Sequence, residues 1–196
     1  MKTEQVRRAG AGKLRIIGGK WRGRRLAVAD HRRLRPTPDR VRETLFNWLQ
    51  PVIAGACCLD LFSGSGVLGF EALSRGARRV VMVESSPRLV RLLLEQARAL
   101  QAHGATIVCA GALEWLQDNN DSFDIIFLDP PFGEGWLDKI MAALVQGGCL
   151  RRGSLVYMES ERGVGKSGAD FKEIKQSRAG QVQYRLVEYL GGNNNK

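Results

Sequence analysis

The strongest constraint on the fold is a regular alternation of short apolar runs and helical periodicity that extends from residue 57 to residue 159. Continuous apolar runs of four to eight residues are typical of parallel strands buried on both faces, and the helical stretches supply the crossovers between them. Because such crossovers are right-handed, the pattern predicts an α/β fold with a parallel sheet. The predicted strands are 57–62, 79–84, 106–109, 123–128 and 153–159, and the predicted helices are 66–75, 87–102, 111–118 and 135–146.

Both ends of the chain depart from this alternation. Residues 171–177 and 182–190 predict an antiparallel hairpin that closes the edge of a seven-stranded, mostly parallel sheet. Near the N-terminus, 14–17 and 24–28 predict a short β-hairpin, and the spacing of apolar residues predicts an amphipathic helix over 38–50. We therefore divide the chain into an N-terminal extension (1–50), a main domain (51–190) and a frayed tail (191–196).

The excess positive charge lies entirely in the N-terminal part of the chain. The formal net charge is +10, and residues 1–48 hold fourteen Lys and Arg against four acidic residues, whereas the remainder is balanced. An Arg- and Gly-rich segment that contains Trp21 suits RNA, because neutralised phosphates release counterions and Arg or Trp planes stack on bases. A solubilising or membrane-surface segment is the alternative, but no apolar stripe accompanies the charge. The predicted RNA contacts here are Arg22, Arg24 and Arg25.

Composition excludes several classes of protein. No apolar run approaches the ~18 residues that a membrane span needs, and the N-terminus lacks a signal-peptide core, so we expect a cytoplasmic protein. No Cys or His spacing fits a metal site, so no metal is predicted, and His31 and His103 receive no role. The cysteines lie in or beside apolar runs and are interpreted as small buried hydrophobic residues: Cys57, Cys58, Cys109 and Cys149.

A glycine-rich turn follows the first strand of the alternation. Gly64, Gly66 and Gly69 in Leu59–Gly69 satisfy G-x-G-x-x-G, and Glu84 lies 20 residues beyond Gly64, a pattern that also fits a dinucleotide-binding dehydrogenase. Sheets of this kind bind ligands at the carboxyl ends of their strands, where glycine lets the backbone approach the ligand closely. The turn alone therefore leaves the ligand open.

Three acidic positions favour S-adenosylmethionine over a dinucleotide. Asp60, just before the turn, suits the cofactor's methionine ammonium and would repel a diphosphate. Glu84 opens the segment Glu84-Ser85-Ser86-Pro87, where its carboxylate can accept hydrogen bonds from both ribose hydroxyls. The fourth strand runs into Asp129-Pro130-Pro131-Phe132, a sequence that a dinucleotide fold does not require.

Together these residues resemble the class I, Rossmann-like methyltransferases, and Asp129-Pro130-Pro131-Phe132 is similar to the fourth motif of the subfamily that methylates amino groups. Over nearly the whole chain the resemblance narrows to the bacterial 16S ribosomal RNA guanine-N2 methyltransferases of the small subunit. It is carried by Arg15–Gly19, Trp21–Arg24, Arg35-Pro36-Thr37, Asp39–Asn47, the motif at 60–69, Asp129–Phe132 and Gly180-Gln181-Val182.

The resemblance implies a site for S-adenosylmethionine, with one departure. Where family members place Asp or Asn to bind the adenine amino group, this chain has Gly111, followed by Ala112, so the backbone there is expected to contact adenine with slightly weaker binding. The resemblance also implies that Arg35, Thr37, Arg40 and Arg42 border the cofactor and target pocket. The predicted cofactor-binding residues are Asp60, Phe62, Ser63, Gly64, Ser65, Gly66, Glu84, Ser85, Gly111 and Ala112.

The chemistry of an exocyclic amine assigns roles within the fourth motif. Such a nitrogen is a poor nucleophile because its lone pair is delocalised into the ring, so its two N–H groups need acceptors that orient the lone pair towards the methyl donor. Asp129 and the Pro130 carbonyl can accept these hydrogen bonds, and Phe132 offers a face for stacking. Asp129 or solvent then takes the proton.

The motif by itself leaves the acceptor open among guanine, adenine and a protein amide. We predict guanine-N2 methylation of 16S ribosomal RNA in an assembled or assembling small subunit by a monomeric protein. Adenine-N6 methylation of DNA or RNA is the enzymatic alternative, and a non-catalytic RNA-binding assembly factor with the same fold is the third hypothesis.

Overall fold

A seven-stranded sheet lies at the centre of the computed structural model, which describes residues 13–28, 38–131, 135–161 and 168–192. The strands are β1 (Lys13–Arg15), β2 (Arg25–Ala27), β3 (Cys57–Asp60), β4 (Arg79–Glu84), β5 (Ala105–Cys109), β6 (Phe123–Leu128), β7 (Leu150–Glu161), β8 (Phe171–Ala179) and β9 (Val182–Tyr189). The helices are α1 (Asp39–Leu49), α2 (Val67–Ser74), α3 (Pro87–Leu100), α4 (Ala112–Asp118) and α5 (Trp136–Gln146).

The strand order is β5-β4-β3-β6-β7-β9-β8, and the first five strands are parallel. Strand β9 pairs antiparallel with both β7 and β8, as the predicted C-terminal hairpin requires. The α/β class, the mostly parallel seven-stranded sheet and the antiparallel closure are therefore confirmed. The order reverses between β3 and β6, which creates a crevice at the carboxyl ends of these two strands.

Alternate residues of each central strand separate two hydrophobic clusters. In β6, Ile125 and Phe127 belong to the cluster under α1, α2, α3 and the β1–β2 hairpin, whereas Ile126 and Leu128 belong to the cluster under α4 and α5. This arrangement explains the uninterrupted apolar runs in the sequence, because both faces of these strands are covered. Within the described ranges, no helix is long and apolar enough to cross a membrane.

Strand β7 begins three residues earlier than predicted, at Leu150. The register with β6 shifts between Phe123 and Ile125, so the strand extends back to Leu150 through a bulge. The Ser154 hydroxyl accepts a hydrogen bond from the Arg151 N–H (2.9 Å) and donates one to the Phe123 carbonyl (2.7 Å). The bond to Phe123 connects β7 to β6 where the regular ladder is interrupted.

The β1–β2 hairpin packs on the C-terminal end of α2. The Ser74 hydroxyl accepts a hydrogen bond from the Trp21 N–H (2.9 Å) and donates one to the Gly18 carbonyl (2.6 Å). A Cβ atom at Gly19 would lie 1.9 Å from the Ser74 carbonyl oxygen, so only glycine permits this approach. Leu26 is fully buried in the cluster shared with α1 and α2.

A buried ion pair joins this hairpin, α1 and α2. Glu71 of α2 is fully buried and accepts hydrogen bonds from the Ile17 N–H and the Arg75 Nε, both at 2.8 Å. The Arg42 guanidinium of α1, also fully buried, lies 3.7 Å from the Glu71 carboxylate, donates to the Arg15 carbonyl at 2.9 Å and pairs with Asp39. The two opposite charges offset part of each other's desolvation cost.

Two predictions are corrected by burial. Cys109 is exposed rather than buried, because β5 is an edge strand of the sheet, and Cys57 is half-buried; Cys58 and Cys149 are buried as expected. Arg42, expected to border the target pocket, is instead held inside the junction of hairpin, α1 and α2.

Removing the charge of Glu71 tests this junction. We expect Glu71→Gln to lower the free energy of unfolding by about 3–5 kcal/mol, because the Arg42 guanidinium would keep its burial and lose a buried counter-ion. Chemical denaturation measures the change. The exposed Glu43→Gln on α1 is the matched control and should stay within about 0.5 kcal/mol of the original chain. A comparable small change for both variants would contradict a stabilising role for the pair.

Candidate active site

Three strand ends meet beside the crevice between β3 and β6. Asp60 ends β3, Glu84 ends β4, and Asp129 follows β6 directly. Because these strands are parallel neighbours, their carboxyl ends lie at one edge of the sheet. The structure therefore brings together the three acidic residues that the sequence singled out.

The turn after β3 is held closed by its own backbone and by Ser63. The Ser63 N–H donates to the Val83 carbonyl at 3.0 Å, its hydroxyl donates to the Asp60 carbonyl at 2.8 Å, and its carbonyl accepts from the Gly66 N–H at 2.6 Å. Gly64 and Gly66 have φ angles of 50° and 75°, in the left-handed region that favours glycine. Both hydrogen-bond donors of Ser63 are thus used within the protein, and Ser63 can offer a ligand only lone pairs on its oxygens.

Glu84 ties this turn to the start of α3. One carboxylate oxygen accepts the Gly64 N–H at 2.9 Å, and the other accepts the Ser86 N–H at 2.8 Å. Ser85 is exposed at the same edge, and the Ser86 hydroxyl caps α3 at Leu89. A carboxylate can accept about four hydrogen bonds, so Glu84 keeps capacity for ligand hydroxyls while it organises the turn.

Asp60 is a buried carboxyl group, 3% exposed, whose Oδ2 accepts the Gly69 N–H at 3.1 Å. Burial raises its pKa to about 7, the Gly69 hydrogen bond opposes this shift, and the charge of Glu84 adds to it. Helix α2 approaches closely here, since a Cβ at Gly69 would lie 2.5 Å from the Met82 Cε. A cationic group beside Asp60 would favour the ionised carboxylate.

Gly111 forms the N-cap of α4, and the buried Ala112 is its first residue. The φ and ψ angles of Gly111 are −69° and 144°, which any residue adopts, and a Cβ there would meet the Glu114 Oε2 at an ordinary 3.6 Å. The backbone conformation thus does not require glycine, and a Cβ atom has room at this position.

The fourth motif begins at the end of β6 in the same crevice. Asp129 is half-buried, Pro130 is buried and Pro131 is exposed. Phe132 lies outside the described residues, so its predicted stacking role stays a prediction. Phe62, in the turn after β3, makes an edge contact with Trp136 at the start of α5, with the ring centroids 6.1 Å apart.

Sequence reasoning missed a second polar group beside Asp129. The β6–β7 register pairs Leu128 with Met158, so Asp129 and Glu159 are the next residues on neighbouring strands. Glu159 is 5% exposed and accepts a 2.8 Å hydrogen bond from the Tyr157 hydroxyl. Burial raises the pKa of that hydroxyl well above its ordinary value. The nearby Glu159 adds to this shift, and Asp129 adds a smaller part. The only sequence signal was an acidic residue at the end of an apolar strand.

The predicted RNA-binding arginines of the hairpin lie away from this crevice, at the C-terminal ends of α2 and α3. Arg22, Arg24 and Arg25 are exposed on the hairpin, and the Arg24 guanidinium donates to the Ala99 carbonyl of α3 at 3.1 Å. Trp21 packs against the core with Lys20 over its ring at 4.3 Å, which leaves less of the indole for base stacking than predicted. Arg40 is exposed on α1; Arg35 and Thr37 lie outside the described residues.

The arrangement can hold a ligand that is cationic at one point and rich in hydroxyl groups at another. Asp60 supplies a buried acid, Glu84 supplies acceptors, and Asp129 supplies a carboxylate at the mouth of the crevice, next to the stiff Pro130-Pro131 pair. Among the described residues, no group of three or more His, Cys, Asp and Glu is placed to hold a metal ion.

The chain resembles known proteins in both sequence and structure. The family model described as Conserved hypothetical protein 95 matches residues 14–188. The ribosomal RNA small subunit methyltransferase D of Escherichia coli strain K12 is 44% identical over 182 residues, which cover 92% of each chain. The protein of the same name from Haemophilus influenzae is 39% identical, covering 90% of this chain and 94% of its own. The solved structure of yhhF from Escherichia coli, a methyltransferase by name, superposes with a TM-score of 0.86 at 42% identity, covering 92% of this chain and all of its own.

The raised pKa of Asp60 predicts a specific pH dependence of stability. Between about pH 4 and pH 7 the unfolded chain ionises this group while the folded chain keeps it protonated, so rising pH penalises the folded state. Relative to Asp60→Asn, the original chain should lose on the order of a few kcal/mol of unfolding free energy over this range and then level off. Denaturation curves of both chains from pH 4 to pH 8.5 measure the difference; a constant difference would show that Asp60 is not perturbed.

Proposed function

The chain belongs to the methyltransferase family described as Conserved hypothetical protein 95, and from this premise we propose that it methylates the exocyclic N2 amine of a guanine in 16S ribosomal RNA, with S-adenosylmethionine as donor. The observation that carries the proposal is the convergence of Asp60, Glu84 and Asp129 at one edge of the sheet. The relatives' names support a ribosomal RNA of the small subunit as substrate.

The residues at the β3 and β4 ends fit S-adenosylmethionine. Bound there, this cofactor supplies a methyl group on a positively charged sulfonium. Asp60, whose burial disfavours an unpaired charge, would pair with the methionine ammonium, and Glu84 would accept hydrogen bonds from the ribose hydroxyls. The turn that these residues support would contribute the remaining contacts through Phe62, Ser63, Gly64, Ser65, Gly66 and Ser85, and Gly111 with Ala112 would contact the adenine through the backbone.

Asp129 and Pro130 would position the acceptor amine. The Asp129 carboxylate and the Pro130 carbonyl each accept one N–H of the amine, which directs the nitrogen lone pair away from them and towards the methyl donor. Asp129, which is half-buried, or water then accepts the proton released by methyl transfer. Pro130 and Pro131 restrict the backbone, so these acceptors need little rearrangement when the base enters. Phe132 would stack on the base.

The polar group next to Asp129 supports guanine rather than adenine. The Watson–Crick edge of guanine presents N1–H beside the N2 amine, whereas adenine presents an unprotonated N1 beside its N6 amine. Asp129 and Glu159 are neighbouring acids at the ends of β6 and β7, and acids accept hydrogen bonds from N–H donors but repel a ring-nitrogen lone pair. A second carboxylate near the amine acceptor therefore favours a base with two adjacent donors.

The N-terminal extension, residues 1–50, would supply the RNA affinity. Its exposed arginines on the hairpin, together with Arg35, Thr37 and Arg40, can neutralise phosphates, and a base must be unpaired or extruded to reach Asp129. Incompletely assembled RNA meets that requirement more easily than an intact duplex. We propose that the protein acts as a monomer in the cytoplasm on assembled or assembling small subunits.

A product assay tests the proposed reaction. The protein is incubated with labelled S-adenosylmethionine and unmethylated small subunits or 16S RNA, and the digested RNA is expected to contain N2-methylguanosine. Asp129→Ala should lower the rate at least about a hundredfold and keep the fold, since it removes an acceptor at the reacting nitrogen. The exposed Asp118→Ala is the matched control and should react at the normal rate.

Two outcomes of this assay and one melting-temperature measurement separate the alternatives. Detection of N6-methyladenosine would show that the target base is adenine rather than guanine. RNA binding without any methylated nucleoside would show that the protein is a non-catalytic assembly factor. If NADH rather than S-adenosylhomocysteine raises the melting temperature, the cofactor assignment fails.

Gly111→Asn should tighten cofactor binding. The asparagine restores the side chain that relatives use for adenine, and the conformation of Gly111 accepts it without strain. One additional hydrogen bond of about 1 kcal/mol predicts a roughly fivefold lower Kd for S-adenosylhomocysteine in calorimetry. Gly168→Asn, which lies in open space before β8 and outside the left-handed region, is the matched control with no expected change. An unchanged Kd for Gly111→Asn would place the adenine elsewhere.

A further inference from the structure

The basic hairpin and the active-site crevice lie at opposite ends of the parallel strands: the crevice at their carboxyl ends and the hairpin at their amino ends. Helices α2 and α3 both begin at the carboxyl-end edge, where Gly66 and Ser86 are their N-caps, and both run back towards the edge where the strands begin. The hairpin contacts their far ends, through Ser74 of α2 and the Ala99 carbonyl of α3. Because α3 has 14 residues, about 21 Å of its length separates the hairpin from the turn at Glu84.

The exposed face of α3 fills this distance with positive charge. Arg88, Arg91 and Arg98 are exposed, and Glu95 is the only acidic residue of the helix. Within the described part of the chain, none of these three arginines takes part in an ion pair. Arg91 and Arg98 are two turns apart, about 10 Å along one face, and Arg98 lies one residue from the carbonyl that Arg24 contacts.

A groove adjoins this face, between the C-terminal half of α3 and the edge strand β5. Its volume is about 370 Å³; Leu94, Ala97 and Ile107 contribute apolar surface, and Arg98 and His103 contribute polar groups. Leu94 is 39% exposed, a large apolar side chain left uncovered beside the arginines. An apolar surface beside a guanidinium plane suits an unpaired base, which stacks on both.

We propose that the exposed face of α3 is an RNA-binding surface that carries the substrate backbone from the hairpin to the crevice, with Arg91 and Arg98 on phosphates and an unpaired base in the α3–β5 groove. This RNA-binding surface on α3 is inferred on the premise that the protein methylates ribosomal RNA, as proposed above. RNA is favoured over a protein partner because Arg91 and Arg98 form no ion pair with any residue that the structure describes, and because they continue the charged surface of the hairpin. The substrate must then span about 21 Å or more, which a folded segment of RNA does and a single nucleotide does not.

Neutralising two arginines tests the surface. For Arg91→Gln/Arg98→Gln, the Kd for a 16S RNA transcript should rise about tenfold at 0.1 M salt, and the slope of log Kd against log salt should fall by roughly 1.5, as two lost phosphate contacts require. The melting-temperature shift caused by S-adenosylhomocysteine should stay unchanged, which also verifies folding. Arg91→Lys/Arg98→Lys keeps the charge and should retain the slope.

The matched control is Arg152→Gln/Lys172→Gln. Both residues are exposed near the beginnings of β7 and β8, and the net charge changes by the same amount, but the sites lie across the sheet from α3. This variant should bind RNA like the original chain. Equal Kd and slope for the α3 variant and the original chain would overturn the proposal, as would equal losses in the α3 variant and the control.

Binding is measured without turnover, so the two proposals fail in different ways. A chain that binds RNA through Arg91 and Arg98 but forms no N2-methylguanosine would refute the proposed function alone. Normal methylation with unchanged RNA binding by the α3 variant would refute this inference alone. Weaker binding of the variant to assembled small subunits but not to the bare transcript would identify a protein partner, and the RNA assignment would be wrong.

Discussion

The buried carboxylate of Glu71 holds together the parts of the molecule that the proposed reaction needs. It accepts hydrogen bonds from the backbone of the hairpin at Ile17 and from Arg75, and it lies beside the buried guanidinium of Arg42 in α1. A charge without solvent is tolerated only with such partners, so the hairpin, α1 and α2 must assemble together. Helix α2 also begins at the glycine-rich turn. The same short helix therefore contacts the turn at one end and the basic hairpin at the other.

Much of this fold follows from the sequence because its central strands are covered on both faces. The bounds of β4 and β6 agree with the predicted 79–84 and 123–128, since each is an apolar run between polar turns. The predictions failed where tertiary context decides. Cys109 sits in an apolar run but is exposed, because strand order, which makes β5 an edge, is not written in local sequence.

The site was predictable to the extent that it consists of strand ends. Asp60, Glu84 and Asp129 each terminate an apolar run, and parallel topology then brings them to one edge. Glu159 was missed since its significance depends on β7 lying next to β6, and Arg42 was misplaced because a motif arginine on an amphipathic helix gives no local sign of burial. The bridge from Glu84 to the Gly64 N–H likewise joins residues that only the folded chain brings together.

All eight residues of α2 are buried, and the helix is about 12 Å long. It therefore has no solvent-exposed face on which substitutions would be neutral. Its two ends contact different parts of the molecule: Gly66 bonds to the glycine-rich turn, and Ser74 bonds to the hairpin. Modularity is limited accordingly. Grafting the basic hairpin onto another Rossmann-like core would require transplanting α2 with Glu71 and Ser74, together with Arg42 from α1, because the recipient would otherwise lack the groups that hold the hairpin's backbone.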